Sequence, residues 1–211
     1  MRKKLIVKQV DACDCGACCL LSIIRYYKGN VPLELLKIDT NTSKLGTNAY
    51  EIIKAAEKYG YKNLRFELGD INGYKCPFDV DMVITLHACD IATDFALYHA
   101  ISNSVANIFS VPCCQHEICQ SIKKGGDFDL LLNHGLIKER FSALLTDSIR
   151  AEILKECGYE VDIVEFVDFA HSPKNLMLRC KLKKKKSPDL EKVRRLAEQY
   201  GFTQKLLTLM S

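Results

Sequence analysis

Val83-Ile84-Thr85-Leu86-His87-Ala88-Cys89-Asp90 is an apolar run that stops abruptly at chemically capable residues. Asn107-Ile108-Phe109-Ser110-Val111-Pro112-Cys113-Cys114-Gln115-His116-Glu117 repeats the pattern farther along. Short continuous apolar runs read as buried strands. Two parallel strands that end at polar clusters mark a crevice, because open α/β sheets bind ligands outside the carboxyl ends of their strands.

The sequence on either side fits an α/β chain. Helical spacing predicts helices over 15–28, 31–38 and 48–59, the last stopped by Gly60. The period then changes. Strands are expected over 63–68, 81–86 and 107–111, and helices over 93–103, 128–132 and 138–157. Residues 160–169 and 176–182 alternate apolar and polar side chains, which predicts an antiparallel pair around the turn His171-Ser172-Pro173-Lys174-Asn175. A basic linker, 183–186, leads to a final amphipathic helix over 189–209. This break in pattern divides the chain into a helical segment (1–60), a sheet-bearing segment (61–182) and a C-terminal linker and helix (183–211).

The chain has 211 residues, 48% of them hydrophobic, enough to bury a sizeable core. Its formal net charge of +4 permits a nucleic-acid partner without requiring one. The eleven cysteines include the adjacent pairs Cys18-Cys19 and Cys113-Cys114, and Met1-Arg2-Lys3-Lys4 does not open a secretory signal. Reduced thiols in a cytoplasmic protein are expected. No apolar run is long enough to span a bilayer.

From about Glu57 to Leu182 the chain resembles the later part of a class I S-adenosylmethionine-dependent methyltransferase. Leu86-His87-Ala88-Cys89-Asp90 followed by Ala92-Thr93-Asp94 is similar to the fourth-strand motif of one branch of that family. Pro112-Cys113-Cys114-Gln115-His116-Glu117 is similar to its fifth-strand motif, and related Cys-Cys-His runs occur in eukaryotic tRNA 2′-O-methyltransferases. The resemblance implies S-adenosyl-L-methionine as cofactor and RNA as the partner. It places Asp70 at the adenine amine, with Ile71 beside it, and Leu86, His87 and Cys89 along the cofactor. Cys113, Cys114 and Asn175 face the substrate, and His116 or Asp90 is the general base where the acceptor must lose a proton. Read alone, Asp70 is equally a turn residue. Cys113, Cys114 and His116 lack the spaced pairs of a structural zinc site, so no metal is assigned. His99 and His134 read as structural. The family's glycine-rich turn does not precede Asn63, which leaves half of the cofactor pocket without a counterpart.

Residues 1–60 resemble a different family. Gln9-Val10-Asp11-Ala12-Cys13-Asp14-Cys15-Gly16-Ala17-Cys18-Cys19-Leu20 is similar to the start of the papain-like peptidase domain of bacteriocin-exporting ABC transporters, and Leu45-Gly46-Thr47-Asn48 also fits. The resemblance implies Cys15 as nucleophile, Gln9 as oxyanion donor and a leader peptide as partner. Such chemistry also needs a histidine base. The competing readings of Cys13, Cys15, Cys18 and Cys19 are a buried helix face and a metal site.

The expected fold is therefore α/β, an incomplete Rossmann-like methyltransferase sheet behind a helical N-terminal segment. Three parallel strands and an antiparallel pair are expected. The expected function is that of a methyltransferase homologue, with a leader-peptide peptidase remnant and a non-catalytic fusion as alternatives.

Overall fold

The computed structural model describes residues 7, 10–11, 13–44, 46–63, 65, 67, 69–86, 88–112, 114–165 and 176–211. The chain divides into two compact units, Met1–Gly69 and Asp70–Ser211.

In the first unit three helices enclose one small core. They are α1 (Cys15–Tyr26), α2 (Leu33–Asp39) and α3 (Ala49–Lys58). Leu20, Leu21 and Ile24 of α1 meet Leu36 of α2 and Ala55 and Ala56 of α3. Asn48 starts α3 by accepting the Glu51 N–H at 2.9 Å, which satisfies one of the donors that a helix start leaves open. At the other end of α3, Lys58 reaches Asp39 at 2.6 Å and ties α3 to α2.

The second unit is built on a four-stranded mixed sheet, so the α/β expectation holds. The strands are β1 (Met82–Leu86), β2 (Asn107–Val111), β3 (Tyr159–Glu165) and β4 (Leu176–Leu182), in the order β1-β2-β4-β3. β1 and β2 are parallel, with Ile84 opposite Phe109, and β4 runs antiparallel to both β2 and β3. Of the three expected parallel strands, two are found among the described residues. Asn63, Arg65 and Glu67 carry no strand, and Leu64, Phe66 and Leu68 lie outside the described residues. The hairpin turn 171–175 and residues 166–169 of the first hairpin strand also lie outside them.

Period-2 alternation sends one side of each strand into the core. Ile108, Leu178 and Cys180 are buried there, and Val83 and Val161 pack against them. Helix α4 (Ile91–Ser102) lies against β1 and β2, and the long α7 (Gly135–Glu156) lies against β3. Tyr159 ties the start of β3 to the α4–β2 turn, donating its hydroxyl to Val105 O at 3.0 Å. Burial pushes that phenol up to about 12. The opposite side of β1 is bare. Ile84 and Leu86 are 61% and 62% exposed, and among the described residues β1 has a strand neighbour on one edge only. Parallel strands are ordinarily covered on both faces.

Two local expectations are corrected. The segment 189–209 is two helices, α8 (Glu191–Tyr200) and α9 (Lys205–Leu209). Gly201 adopts φ 59° and ψ 41° as a left-handed cap, which ends α8 after Tyr200. A side chain there would also strike Lys123, since a Cβ on Gly201 would stand 2.4 Å from Lys123 Cδ. Second, the 183–186 stretch is held at its start: the Lys183 N–H donates to Gly158 O at 3.1 Å, and Lys183 pairs with Glu160. Leu190, Val193, Phe202, Leu206 and Leu207 then enter the same core as the sheet.

Candidate functional site at the strand ends

The ends of β1 and β2 are stitched together by Asp90. Its N–H donates to Cys114 O at 3.1 Å. Its carboxylate Oδ1 accepts the His116 N–H at 2.9 Å and the Glu117 N–H at 3.3 Å. The last two contacts supply α5 (Glu117–Ser121), a short helix that hydropathy alone did not reveal, with acceptors for its first N–H groups. Asp90 itself has φ 50° and ψ −118°. With the Ala92 N–H bonded to Cys89 O at 3.0 Å, this is the first central position of a type II′ turn, which glycine normally fills. A non-glycine residue there is strained, and the surrounding bonds hold it in place.

Beneath this turn lies an ionic network that the sequence reading missed. Arg150, fully buried on α7, binds Asp94 through two parallel bonds, Nε to Oδ1 at 2.8 Å and Nη2 to Oδ2 at 2.9 Å. It also bonds Asp147 at 3.0 Å and the Asp90 carbonyl at 2.9 Å. Gln115 donates to Asp147, and Gln204 donates to Asp94 at 2.7 Å while capping α9 through the Leu207 N–H. One cation thus fixes the loops after both strands and anchors the C-terminal helix. Burial works against the guanidinium charge, but the hydrogen bonds and charges of Asp94 and Asp147 outweigh it and hold Arg150 above its ordinary value. Asp94 takes the bidentate contact. Asp147 is the surplus carboxylate, and burial pushes it up. An arginine inside the 138–157 helical pattern was the available signal, since a buried guanidinium demands paired carboxylates.

The expected site residues fall as follows. Leu86 and Cys89 are exposed at the end of β1, and His116 is exposed at the start of α5. The His116 ring has no hydrogen-bond partner among the described residues. Cys114 is half-buried. Asp70 is exposed and closes its own turn by accepting the Asn72 N–H at 2.9 Å, with Ile71 half-buried beside it. Gln9, His87, Cys113 and Asn175 lie outside the described residues. His99 bonds the Tyr74 carbonyl through Nε2 and Asn103 through Nδ1, and His134 precedes α7 on the surface. A cavity of about 350 Å³ lies at the other end of the sheet, where Tyr98, Leu182 and Met210 line it.

Glu117 sits at the edge of the network and accepts the Lys205 N–H at 2.6 Å. Burial pushes its carboxyl up; the Lys205 bond opposes this, and Asp94 and Asp90 add to it. A carboxyl raised in the folded state contributes stability that is complete below its unfolded value and is lost as pH rises through the folded one. Glu117→Gln keeps an acceptor for Lys205. We expect this variant to melt higher than the parent at pH 7, with the difference vanishing as pH falls to about 4. Thermal melts across that range check it.

In the first unit Cys15 and Cys19 are exposed on α1 and Cys18 is buried, so the cysteines do not form a single buried face. None of the ten described cysteines is in a disulfide. Among the described residues no group of three histidine, cysteine or acidic side chains is placed to hold a metal ion. No described helix is long and apolar enough to cross a membrane. All five histidines of the chain lie in the second unit, so the first unit holds no histidine base for Cys15.

A family model described as a methyltransferase domain matches residues 2–121, more than half of the chain and across both units. The match begins well before Glu57, where the motif resemblance starts. Glutathione S-transferase C-terminal domain-containing proteins of Homo sapiens and Macaca fascicularis are each 27% identical over 149 residues, covering 59% of this chain and 23% of theirs. The lactococcin-G-processing and transport ATP-binding protein of Lactococcus lactis subsp. lactis is 34% identical over 67 residues, 32% of this chain and 10% of that protein. The chain thus spans a quarter or less of the curated relatives it matches. No solved structure matches it.

Proposed function

The chain belongs to the methyltransferase-domain family, and we propose that its second unit binds S-adenosyl-L-methionine at the ends of β1 and β2 and methylates RNA. The observation that carries this reading is the Asp90 stitch, which ties together the loops after two parallel strands. The exposed Leu86 offers apolar surface to the methionine side of the cofactor, with Cys89 and His87 next to it in sequence. Asp70 keeps one carboxylate oxygen for an adenine amine. These residues fit one side of the cofactor.

S-adenosyl-L-methionine supplies an electrophilic methyl group on a sulfonium. Transfer is an in-line displacement, so holding the acceptor in line and excluding water does much of the work. Asp90 holds the His116 and Glu117 N–H groups through Oδ1 and is assigned a positioning role. His116 has an uncommitted imidazole and is the group that takes a proton from an acceptor hydroxyl. Cys113, Cys114 and Asn175 are assigned to the substrate side. The formal charge of +4 favours a polyanionic acceptor.

Transfer of tritiated methyl groups to bulk tRNA tests this reading. We expect ribonuclease-sensitive label, lowered roughly a hundredfold by His116→Ala. Label confined to protein, or transfer indifferent to His116, would overturn it.

A further inference from the structure

The methyltransferase reading leaves the start of α1 unused, and the chemistry there is of another kind. Cys15-Gly16-Ala17-Cys18 places two thiols three residues apart on the first turn of a 12-residue helix. Helical geometry sets their Cα atoms roughly 5 Å apart, within the span a disulfide bridges. Their surroundings differ. Cys15 is exposed at the first position of the helix. Cys18 is 3% exposed. Gly16 lets this turn lie close against its neighbours, since a Cβ there would stand 3.1 Å from Thr47 Cβ and 3.2 Å from Ile52 Cδ1. The turn is thereby fixed.

The second observation is Asp14. It is fully buried, yet its side chain does not cap α1. Oδ2 accepts the Val10 and Asp11 N–H groups at 3.1 Å, while Oδ1 is buried with no N–H or O–H donor among the described residues. Asp14 stands one helical turn before Cys18, whose N–H donates to the Asp14 carbonyl at 2.9 Å. Burial pushes the Cys18 thiol up, and Asp14 adds to the effect. A buried thiol needs a proton acceptor before it reacts, and the unpartnered, buried Oδ1 of Asp14 one turn away is the oxygen available for it.

We propose that Cys15, Cys18 and Asp14 form a thiol–disulfide exchange site that reduces an accessible disulfide. The Cys15 thiolate attacks one sulfur of the substrate disulfide, forming a mixed disulfide and expelling the other sulfur as a thiolate. Asp14 takes the proton of Cys18, whose sulfur attacks Cys15 Sγ, closing the Cys15–Cys18 bond and releasing the second substrate thiolate. Two electrons pass from the dithiol to the substrate, and the two protons shed by Cys15 and Cys18 leave on the product thiols. Cys19 also lies within reach of Cys15, but among the described residues no buried carboxylate acts on its thiol.

The test treats the full chain with oxidised glutathione at pH 7, quenches it by alkylation and maps its disulfides. We expect a Cys15–Cys18 bond that reverses with reduced glutathione, with oxidation passing from a tenth to nine tenths over about a hundredfold change in the redox ratio. Cys18→Ser accumulates glutathione on Cys15, and Cys19→Ser leaves the couple unchanged. Asp14→Asn slows resolution of the mixed disulfide roughly a hundredfold while leaving the first attack unaltered, a split that a merely structural role does not produce. A Cys15–Cys19 bond, a persistent glutathione adduct on the parent chain, or equal slowing of both steps overturns the proposal. Should Asp14→Asn fail to fold, the contrast between Cys18→Ser and the parent decides it.

Discussion

Replacing Arg150 by methionine removes about 4 kcal/mol of stability from the second unit. The loss follows from what the guanidinium holds. Asp94 and Asp147 are buried carboxylates whose charge it neutralises, and the Asp90 carbonyl loses a donor as well. An unpaired buried charge costs far more than the pair contributes over an apolar substitute. The triple change Arg150→Met, Asp94→Leu and Asp147→Leu should therefore recover most of the loss. Against a typical domain stability of about 5–15 kcal/mol, the single variant stands near unfolding. Urea denaturation followed by circular dichroism checks both variants. A single-variant loss below about 1 kcal/mol would mean that water reaches the network and screens it.

Asp90 has two opposing effects that substitutions separate. Its carboxylate holds the start of α5, and its backbone occupies a conformation that favours glycine. Asp90→Ala loses the acceptor and keeps the strain, which we expect to cost about 2 kcal/mol. Asp90→Gly loses the same acceptor but relieves the turn, recovering about 1 kcal/mol. Asp90→Asn keeps an acceptor and falls closest to the parent. The order of stability is Asn, Gly, Ala, read from denaturant midpoints. A glycine variant weaker than the alanine one would show that the positive φ is not strained.

This turn also shows where the sequence stops being legible. The strands Asn107–Val111 and Leu176–Leu182 were readable to the residue, because apolar runs and alternation report burial directly. The helix over 138–157 was readable within three residues. The sequence also pointed to the strand ends, since Asp90 and His116 stand where apolar runs stop. The role of Asp90 was not legible. A carboxylate after a strand reads equally as base, cofactor ligand or cap, and its bonds to the His116 and Glu117 N–H groups appear only in the fold. Arg150 and Asp147 were missed because their partners Asp94, Gln115 and Gln204 lie far off in sequence and meet them only after folding. Gly201 was a visible breaker inside the 189–209 pattern, and its left-handed conformation outweighed the amphipathic periodicity on either side. The cysteines of α1 gave a different lesson. Their spacing was plain, but the division into exposed Cys15 and buried Cys18 beside Asp14 came only with the fold.

Calorimetric titration of the full chain with S-adenosylhomocysteine tests the central claim, a cofactor site at the ends of β1 and β2. We expect micromolar binding that weakens in Asp90→Ala, whose strand-end loops are no longer stitched. No binding heat from a chain that circular dichroism shows to be folded, or binding indifferent to Asp90, would contradict it.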